Sequence, residues 1–235
     1  MQYPPELSII MLCYRSNESI IPLSKQVQEL AKKLTNSYEI ILVGNYIEGS
    51  DDRTEAIVRE IAENDKNFKA VCKPKKGMMG WDMKEGLKTA QGNYLCVIDG
   101  DSQFPIDNIE KCFNKIKSSP YGLVKTYRAT RGDGKYRKVI SSGYNFIFSL
   151  LFPNVKSKDV NSKPKIFTRE VYEKMELTSD DWFIDAEIML NIERLKVEFY
   201  EFPTSFLEQE GRSSFVKFSA VFEFLKNLIL FKIKR

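Results

Sequence analysis

The chain has 235 residues, of which 43% are hydrophobic and 29% are charged, and its formal net charge is +4. This length and composition predict one globular domain with a sizeable core rather than two small domains. The chain contains no histidine, which excludes Ser-His and Cys-His catalysis and any metal site built from imidazole.

Strand-like and helix-like segments alternate through the first half of the chain. The predicted strands are short apolar runs, whereas in the predicted helices apolar residues recur every three or four positions. Alternation of this kind is typical of an α/β fold with a mainly parallel, doubly wound sheet flanked by helices. The predicted elements are strands over Leu7–Leu12, Glu39–Val43, Ala70–Cys72 and Tyr94–Ile98, and helices spanning about Ile20–Leu34, Asp51–Ala62, Met79–Ala90 and Ile106–Ile116.

The second half of the chain is less regular, but it contains no repeat and no convincing linker, so a single domain over residues 1–214 is predicted. The last segment, residues 215–235, has the pattern of an amphipathic helix rich in Phe, Leu and Ile. Two interpretations remain open: the helix packs on the domain, or it lies in a membrane interface, held by terminal basic residues. The predicted elements before this segment are strands over Leu123–Lys125, Lys165–Phe167 and Val197–Phe202, the last ended by Pro203, helices over Arg137–Phe152 and Asp185–Leu195, and a basic loop over Arg128–Lys138.

Two aspartates and a glutamine stand at the end of the predicted strand Tyr94–Ile98, in the sequence YLCVIDGDSQ. If the extended backbone continues past Ile98, the side chains of Asp99, Asp101 and Gln103 project to the same side. Carboxylate and amide oxygens suit Mg²⁺ or Mn²⁺. The alternative is a strand that simply leaves the sheet through an Asp-Gly turn.

Several motifs occur in an order that resembles family 2 glycosyltransferases. The closest subgroup is that of the dolichol-phosphate mannosyltransferase-like, polyprenyl-phosphate glycosyltransferases. The resemblance implies a Rossmann-like GT-A fold and transfer of a sugar from a nucleotide-diphosphate sugar with inversion at the anomeric carbon. The motifs are SIIMLCYRSNES, EIILVGN, GSDDRT, GMMGWDMKEGL, GNYLCVIDGDSQFP, RKVISSGYNF, KIFTREVYEKM and WFIDAEI.

The same resemblance implies the residues of the donor side. Asp99, Asp101 and Gln103 match the metal motif, and a divalent ion there would stabilise charge on the departing diphosphate. The implied donor-binding residues are Tyr14, Asn45, Gly80, Lys84 and Asp99. An acid of the family's second-strand motif is absent here, and Asn45 is a candidate substitute, which leaves the nucleobase open.

On the acceptor side, Arg128, Arg137 and Ser141 match the subgroup's contacts to an acceptor phosphate, and arginine forks suit phosphate oxygens. Asp185, in WFIDAEI, matches a region that provides the general base when the acceptor is a hydroxyl. A phosphate acceptor has a second pKa near ~6 and needs no base, so Asp185 would then position the reactants. Ser162 and Lys165 stand where the subgroup usually has glycine and arginine.

Three functions therefore remain open. The first is sugar transfer to a polyprenyl (dolichyl or undecaprenyl) phosphate, the second is transfer to a sugar hydroxyl in glycan assembly, and the third is a non-catalytic binding subunit at a membrane surface. No run approaches the roughly 20 apolar residues of a membrane span, and the four cysteines, which show no C-x-x-C pair, favour reduced thiols in the cytosol. We therefore expect a cytoplasmic protein, at the cytoplasmic face of the membrane through residues 215–235. Nucleic-acid binding is not expected, since basic residues are not interleaved with aromatic ones.

Overall fold

Strands and helices alternate along the chain in a computed structural model. The structure describes residues 3–131, 135–207, 226–228 and 231–232, without the side chains of residues 131 and 135–141. The strands are β1 (Leu7–Leu12), β2 (Tyr38–Val43), β3 (Phe68–Val71), β4 (Tyr94–Asp99), β5 (Leu123–Arg131), β6 (Lys165–Thr168) and β7 (Phe199–Phe206). The helices are α1 (Ile20–Leu34), α2 (Thr54–Asn64), α3 (Met79–Thr89), α4 (Asp107–Lys117), α5 (Lys135–Leu151), α6 (Arg169–Lys174) and α7 (Ile184–Arg194).

The strands form one seven-stranded sheet in the order β3-β2-β1-β4-β6-β5-β7. Neighbours among β1 to β4 are parallel, β6 is antiparallel to β4 and β5, and β7 is parallel to β5. In this register Leu12 lies opposite Val43 on one side and Asp99 on the other. The residues that follow β1, β2 and β4 therefore meet at one edge of the sheet, where ligands bind in folds of this kind.

The core lies on both faces of the sheet because the central strands are apolar on both sides. All six residues of β1 are buried. Ile10 packs in a cluster with Leu87 of α3 and Ile188 of α7, whereas residues of the opposite face of β1 pack against α1, α2 and α4. Helices on two faces of a mainly parallel sheet confirm the predicted fold class.

Two predicted boundaries in the second half are wrong. β5 continues to Arg131, where a loop was expected from Arg128, and β7 continues through Pro203 to Phe206. The two extensions pair with each other, with Arg128 opposite Thr204. Pro203 is tolerated because β7 is the last strand in the sheet order, so the missing N–H disrupts no further ladder.

Part of the C-terminal segment contacts the domain. Leu228 is buried, and the ring of Phe231 packs against those of Phe152 and Phe183. The remainder of the predicted helix, including Lys234 and Arg235, lies outside the described residues. No helix in the described ranges combines the length and apolarity needed to cross a membrane.

Candidate active site

A tight turn follows β4 at Asp99. The N–H of Gly100 donates to the carbonyl of Leu12 at 2.9 Å, and a Cβ on Gly100 would lie 2.8 Å from that same oxygen. Ser102 then adopts a left-handed conformation with φ of 59°. The extended backbone therefore continues one residue past Ile98, to Asp99, and a turn rather than a longer strand sets the positions of Asp101 and Gln103.

This turn has side chains of the kind that hold Mg²⁺ or Mn²⁺. The side chain of Asp99 is 27% exposed, and Asp101 accepts the N–H of Gln103 at 3.1 Å. The amide nitrogen of Gln103 donates to the carbonyl of Leu207 at 3.2 Å. Within the described residues no three acids or cysteines are arranged as a complete metal site. Two carboxylates fit an ion that completes its shell with water and phosphate oxygens, as Mg²⁺ commonly does.

Buried charges lie behind Asp99. Asp185, in the first turn of α7, is fully buried and accepts hydrogen bonds from two lysines. Lys163 donates to one carboxylate oxygen at 2.9 Å, and Lys165 donates to the other through a very short contact. Lys163 also lies 3.4 Å from Asp99. This Lys163–Asp185–Lys165 cluster connects β6 and α7 to the end of β4.

The cluster determines the charge state of Asp185. Burial opposes ionisation of this carboxyl, but Lys163 and Lys165 outweigh burial and hold its pKa below the usual value. Burial likewise favours a neutral Lys163, but Asp185 and Asp99 raise the pKa of Lys163 above its usual value. An ionised, fully enclosed carboxylate with both oxygens engaged is arranged to position its neighbours rather than to take a proton from an acceptor.

A second polar cluster lies where β1, β2 and β3 end. The ammonium of Lys75 lies 4.0 Å from the ring centroid of Tyr14 and 2.5 Å from Asp82 of α3. Asn45, 1% exposed, donates to Asp82 at 2.8 Å and accepts the N–H of Lys73 at 2.9 Å. Burial raises the pKa of Asp82, against the opposing effect of Lys75. The structure thus joins the predicted donor residues Tyr14 and Asn45 through two residues that the sequence did not single out as donor-binding.

Gly80 and Lys84 have packing partners in this structure. The N–H of Gly80 donates to the carbonyl of Asp181 at 3.0 Å, and a Cβ at this glycine would lie 2.5 Å from the carbonyl oxygen of Ser179. Lys84 contacts the carbonyl of Thr178 and the carboxylate of Asp180, both at 2.8 Å. Both residues therefore hold the segment before α7 against α3.

The guanidinium of Arg128 is held by a buried acid. It donates to the two carboxylate oxygens of Asp159 at 2.5 and 2.8 Å. Burial raises the pKa of Asp159, but Arg128 outweighs this effect and keeps it below the usual value. Asp159 thereby fixes the direction of the arginine fork. Arg137 and Ser141 belong to the first turns of α5, and their side chains lie outside the described residues.

The segment before β6 connects the two sides of the site. Asp159 binds Arg128, the carbonyl of Lys163 accepts the hydroxyl of Thr126 at 2.8 Å, and the Lys163 side chain reaches Asp99. Sequence reasoning missed Lys163. The available signal was a pair of lysines two residues apart at the start of a buried strand, since such charges need buried partners.

Residues 8–176 match the sequence profile of the family described as Glycosyl transferase family 2. The chain belongs to this family. Curated relatives include the dolichol-phosphate mannosyltransferase of Pyrococcus furiosus, 26% identical over 95% of this chain and 62% of the relative. Another is the undecaprenyl-phosphate 4-deoxy-4-formamido-L-arabinose transferase of Yersinia pestis, 28% identical over 60% of this chain and 42% of the relative. The chain thus spans less than two thirds of the length of these relatives.

Solved structures share the fold of this family 2 member. Glucosyl-3-phosphoglycerate synthase from Mycobacterium tuberculosis, in complex with UDP, superposes with a TM-score of 0.74 at 14% identity, over 97% of this chain and 80% of the other. The same enzyme with Mn²⁺, UDP and phosphoglyceric acid gives a TM-score of 0.70, over 96% and 76% of the two chains. These similarities confirm the GT-A fold expected from the sequence.

Proposed function

We propose that this family 2 member is a metal-dependent, inverting glycosyltransferase that moves a sugar from a nucleotide-diphosphate sugar to a polyprenyl phosphate. Family membership and the two named relatives support this proposal. The enclosure of Asp185 between Lys163 and Lys165 is the observation on which the choice of acceptor rests.

The acceptor determines whether a general base is needed. A sugar hydroxyl must lose its proton as it attacks, so a positioned carboxylate usually assists it. A phosphate monoester is largely ionised at neutral pH because its second pKa is near ~6. Since Asp185 is buried and doubly paired, the geometry favours the acceptor that requires no proton transfer.

The donor side follows from the turn after β4. Asp99 and Asp101 would hold Mg²⁺ or Mn²⁺, with Gln103 as a further oxygen donor, beside the diphosphate. When bound, such an ion stabilises the negative charge that grows on the diphosphate as the sugar leaves. Tyr14 offers an aromatic face near the nucleotide base, and the Lys75–Asp82 pair beside it offers charged groups for recognition.

On the acceptor side, Arg128 is oriented by Asp159 and would bind the phosphate together with Arg137 and Ser141. An oxygen of the bound phosphate attacks the anomeric carbon as the bond to the diphosphate breaks. The bonding electrons leave with the diphosphate, and the opposed geometry inverts the carbon. Residues 215–235 would bring the domain to the membrane surface that contains the lipid.

Purified protein incubated with labelled UDP- and GDP-sugars, Mn²⁺ and undecaprenyl or dolichyl phosphate tests the proposal. We expect a labelled lipid product that EDTA suppresses and that Asp101→Asn reduces at least a hundredfold. The matched control is Asp107→Asn, an exposed acid on α4, which should retain activity. Product with sugar acceptors alone would support the hydroxyl alternative. Absence of nucleotide-sugar binding would support the non-catalytic alternative.

A further inference from the structure

A lysine side chain contacts one of the two acids that we assign to the metal. The ammonium of Lys163 lies 3.4 Å from a carboxylate oxygen of Asp99 and 2.9 Å from Asp185. The sulfur of Met79 is 3.4 Å away on another side. The lysine side chain is 2% exposed, whereas Asp99 is 27% exposed. The positive charge is therefore held inside the protein, with Asp99 between it and the solvent.

The position of this charge is fixed by its neighbours. Asp185 is fully buried, and its second oxygen is occupied by Lys165. Lys165 also donates to the carbonyl of Val160 at 2.7 Å. Moving the ammonium of Lys163 out of this position would leave the buried carboxylate of Asp185 with one partner fewer, which is strongly unfavourable. The pairing with Asp185 therefore holds the ammonium of Lys163 at the end of β4, beside Asp99.

We propose that Lys163 is a positioning residue that lowers the affinity of the Asp99–Asp101 site for a divalent cation, so that the ion binds together with the nucleotide diphosphate rather than before it. This inference rests on the proposed function, because it takes the two aspartates as the ion's ligands. The ammonium of Lys163 offsets part of the negative charge of the two aspartates, although Asp185 shares that ammonium. The diphosphate supplies the additional negative charge that a doubly charged ion requires.

The size of the effect follows from Coulomb's law. An ammonium in contact with Asp99 lies on the order of 5 Å from an ion bound to the same carboxylate. At that separation a single and a double positive charge repel each other enough, even in a water-like dielectric, to weaken binding on the order of tenfold. Removal of the lysine charge should therefore tighten ion binding in the absence of nucleotide by about that factor.

The test is a titration of the full chain with Mn²⁺ at pH 7.5, without nucleotide, followed by the electron paramagnetic resonance signal of free Mn²⁺. We expect Lys163→Met to bind Mn²⁺ on the order of tenfold more tightly than wild type. Lys163→Arg, which keeps the charge, should stay within about threefold of wild type. Lys165→Met is the matched control: it removes the other lysine that contacts Asp185, and it should change the affinity by less than about threefold. Should Lys163→Met not fold, Lys163→Gln makes the same comparison with an amide that can still hydrogen-bond both acids.

The outcomes separate this inference from the proposed function. Equal affinities for wild type and the neutral Lys163 variants, with Mn²⁺ still binding in the presence of UDP or GDP, would overturn the inference alone. Equal tightening by Lys163→Met and Lys165→Met would also overturn it, because the loss of either lysine beside Asp185 would then explain the result. No Mn²⁺ binding by wild type under either condition would overturn both the metal-dependent function and the inference.

Discussion

Asp185→Asn is the substitution that most directly tests the buried charge cluster. The amide has nearly the same shape as the carboxylate, but it leaves Lys163 and Lys165 inside the protein without their shared anion. Removing one partner of a buried ion pair typically costs about 3–5 kcal/mol. A domain of this kind is stable by only about 5–15 kcal/mol. We therefore expect the variant to lose about 3–5 kcal/mol of unfolding free energy at pH 7.

The loss of unfolding free energy in Asp185→Asn should decrease as the pH rises. In the wild type Asp185 and Asp99 raise the pKa of Lys163, whereas burial already lowers the pKa of Lys165 to about 7. Without Asp185 we expect burial to lower the pKa of Lys163 as well, below its value of about 10.4 in the unfolded chain. Between the two values the unfolded state binds more protons, so the stability of the variant rises with pH. The wild type keeps the ion pair of Lys163. The difference in unfolding free energy between the wild type and the variant should therefore narrow from pH 7 towards pH 10.

Urea unfolding followed by tryptophan fluorescence measures both effects, since the chain has two tryptophans. The exposed Asp107→Asn serves as the control and should change the unfolding free energy by less than about 0.5 kcal/mol. A loss below about 1 kcal/mol for Asp185→Asn at pH 7, or a loss that stays constant up to pH 10, would refute the assignment of Asp185 as the anion of a buried ion pair.

Three further predictions concern other parts of the site. Asp159 has a pKa below its usual value, so its ionised form stabilises the fold above about pH 4, and this stabilisation is lost as the pH falls. Asp159→Asn should therefore destabilise the protein at pH 7. In urea unfolding measured from pH 6 to 2, the midpoint of the variant should also fall less steeply with pH than that of the wild type. Asp82→Asn should weaken binding of UDP or GDP about tenfold by calorimetry, because a hydrogen bond to a charged group contributes about 1.5–3 kcal/mol. The control is Glu85→Gln, a similarly buried acid on α3 that pairs with the ammonium groups of Lys73 and Lys88 rather than Lys75; it should change the affinity less than about threefold, and equal effects would count against a nucleotide role for Asp82. Gly80→Ala should lower the unfolding free energy by about 1–3 kcal/mol in thermal melts, because its Cβ would meet backbone oxygens. The control is Gly143→Ala, whose Cβ would meet nothing within 4 Å; it should leave the unfolding free energy unchanged or raise it by up to about 1 kcal/mol.

The sequence alone determined the parallel half of the sheet. β1 occupies Leu7–Leu12 as predicted, and β4 differs from its prediction by one residue. These strands were predictable because they are buried on both faces and therefore appear as short continuous apolar runs. The helices between them were predictable because each buries a single apolar stripe. The ordered motifs predicted the family, and the profile match confirmed it.

Only the tertiary structure determined the partners of the charged residues. Asp185 pairs with lysines about twenty positions earlier, and Asn45 binds Asp82, which lies 37 positions later. Periodicity describes which face of an element is buried, but it does not identify which charge lies opposite. For the same reason the sequence did not predict the extensions of β5 and β7, since these pair with each other from distant parts of the chain. Local apolar patterns determine local elements, whereas the state of a buried charge depends on neighbours that only folding brings within a few ångströms.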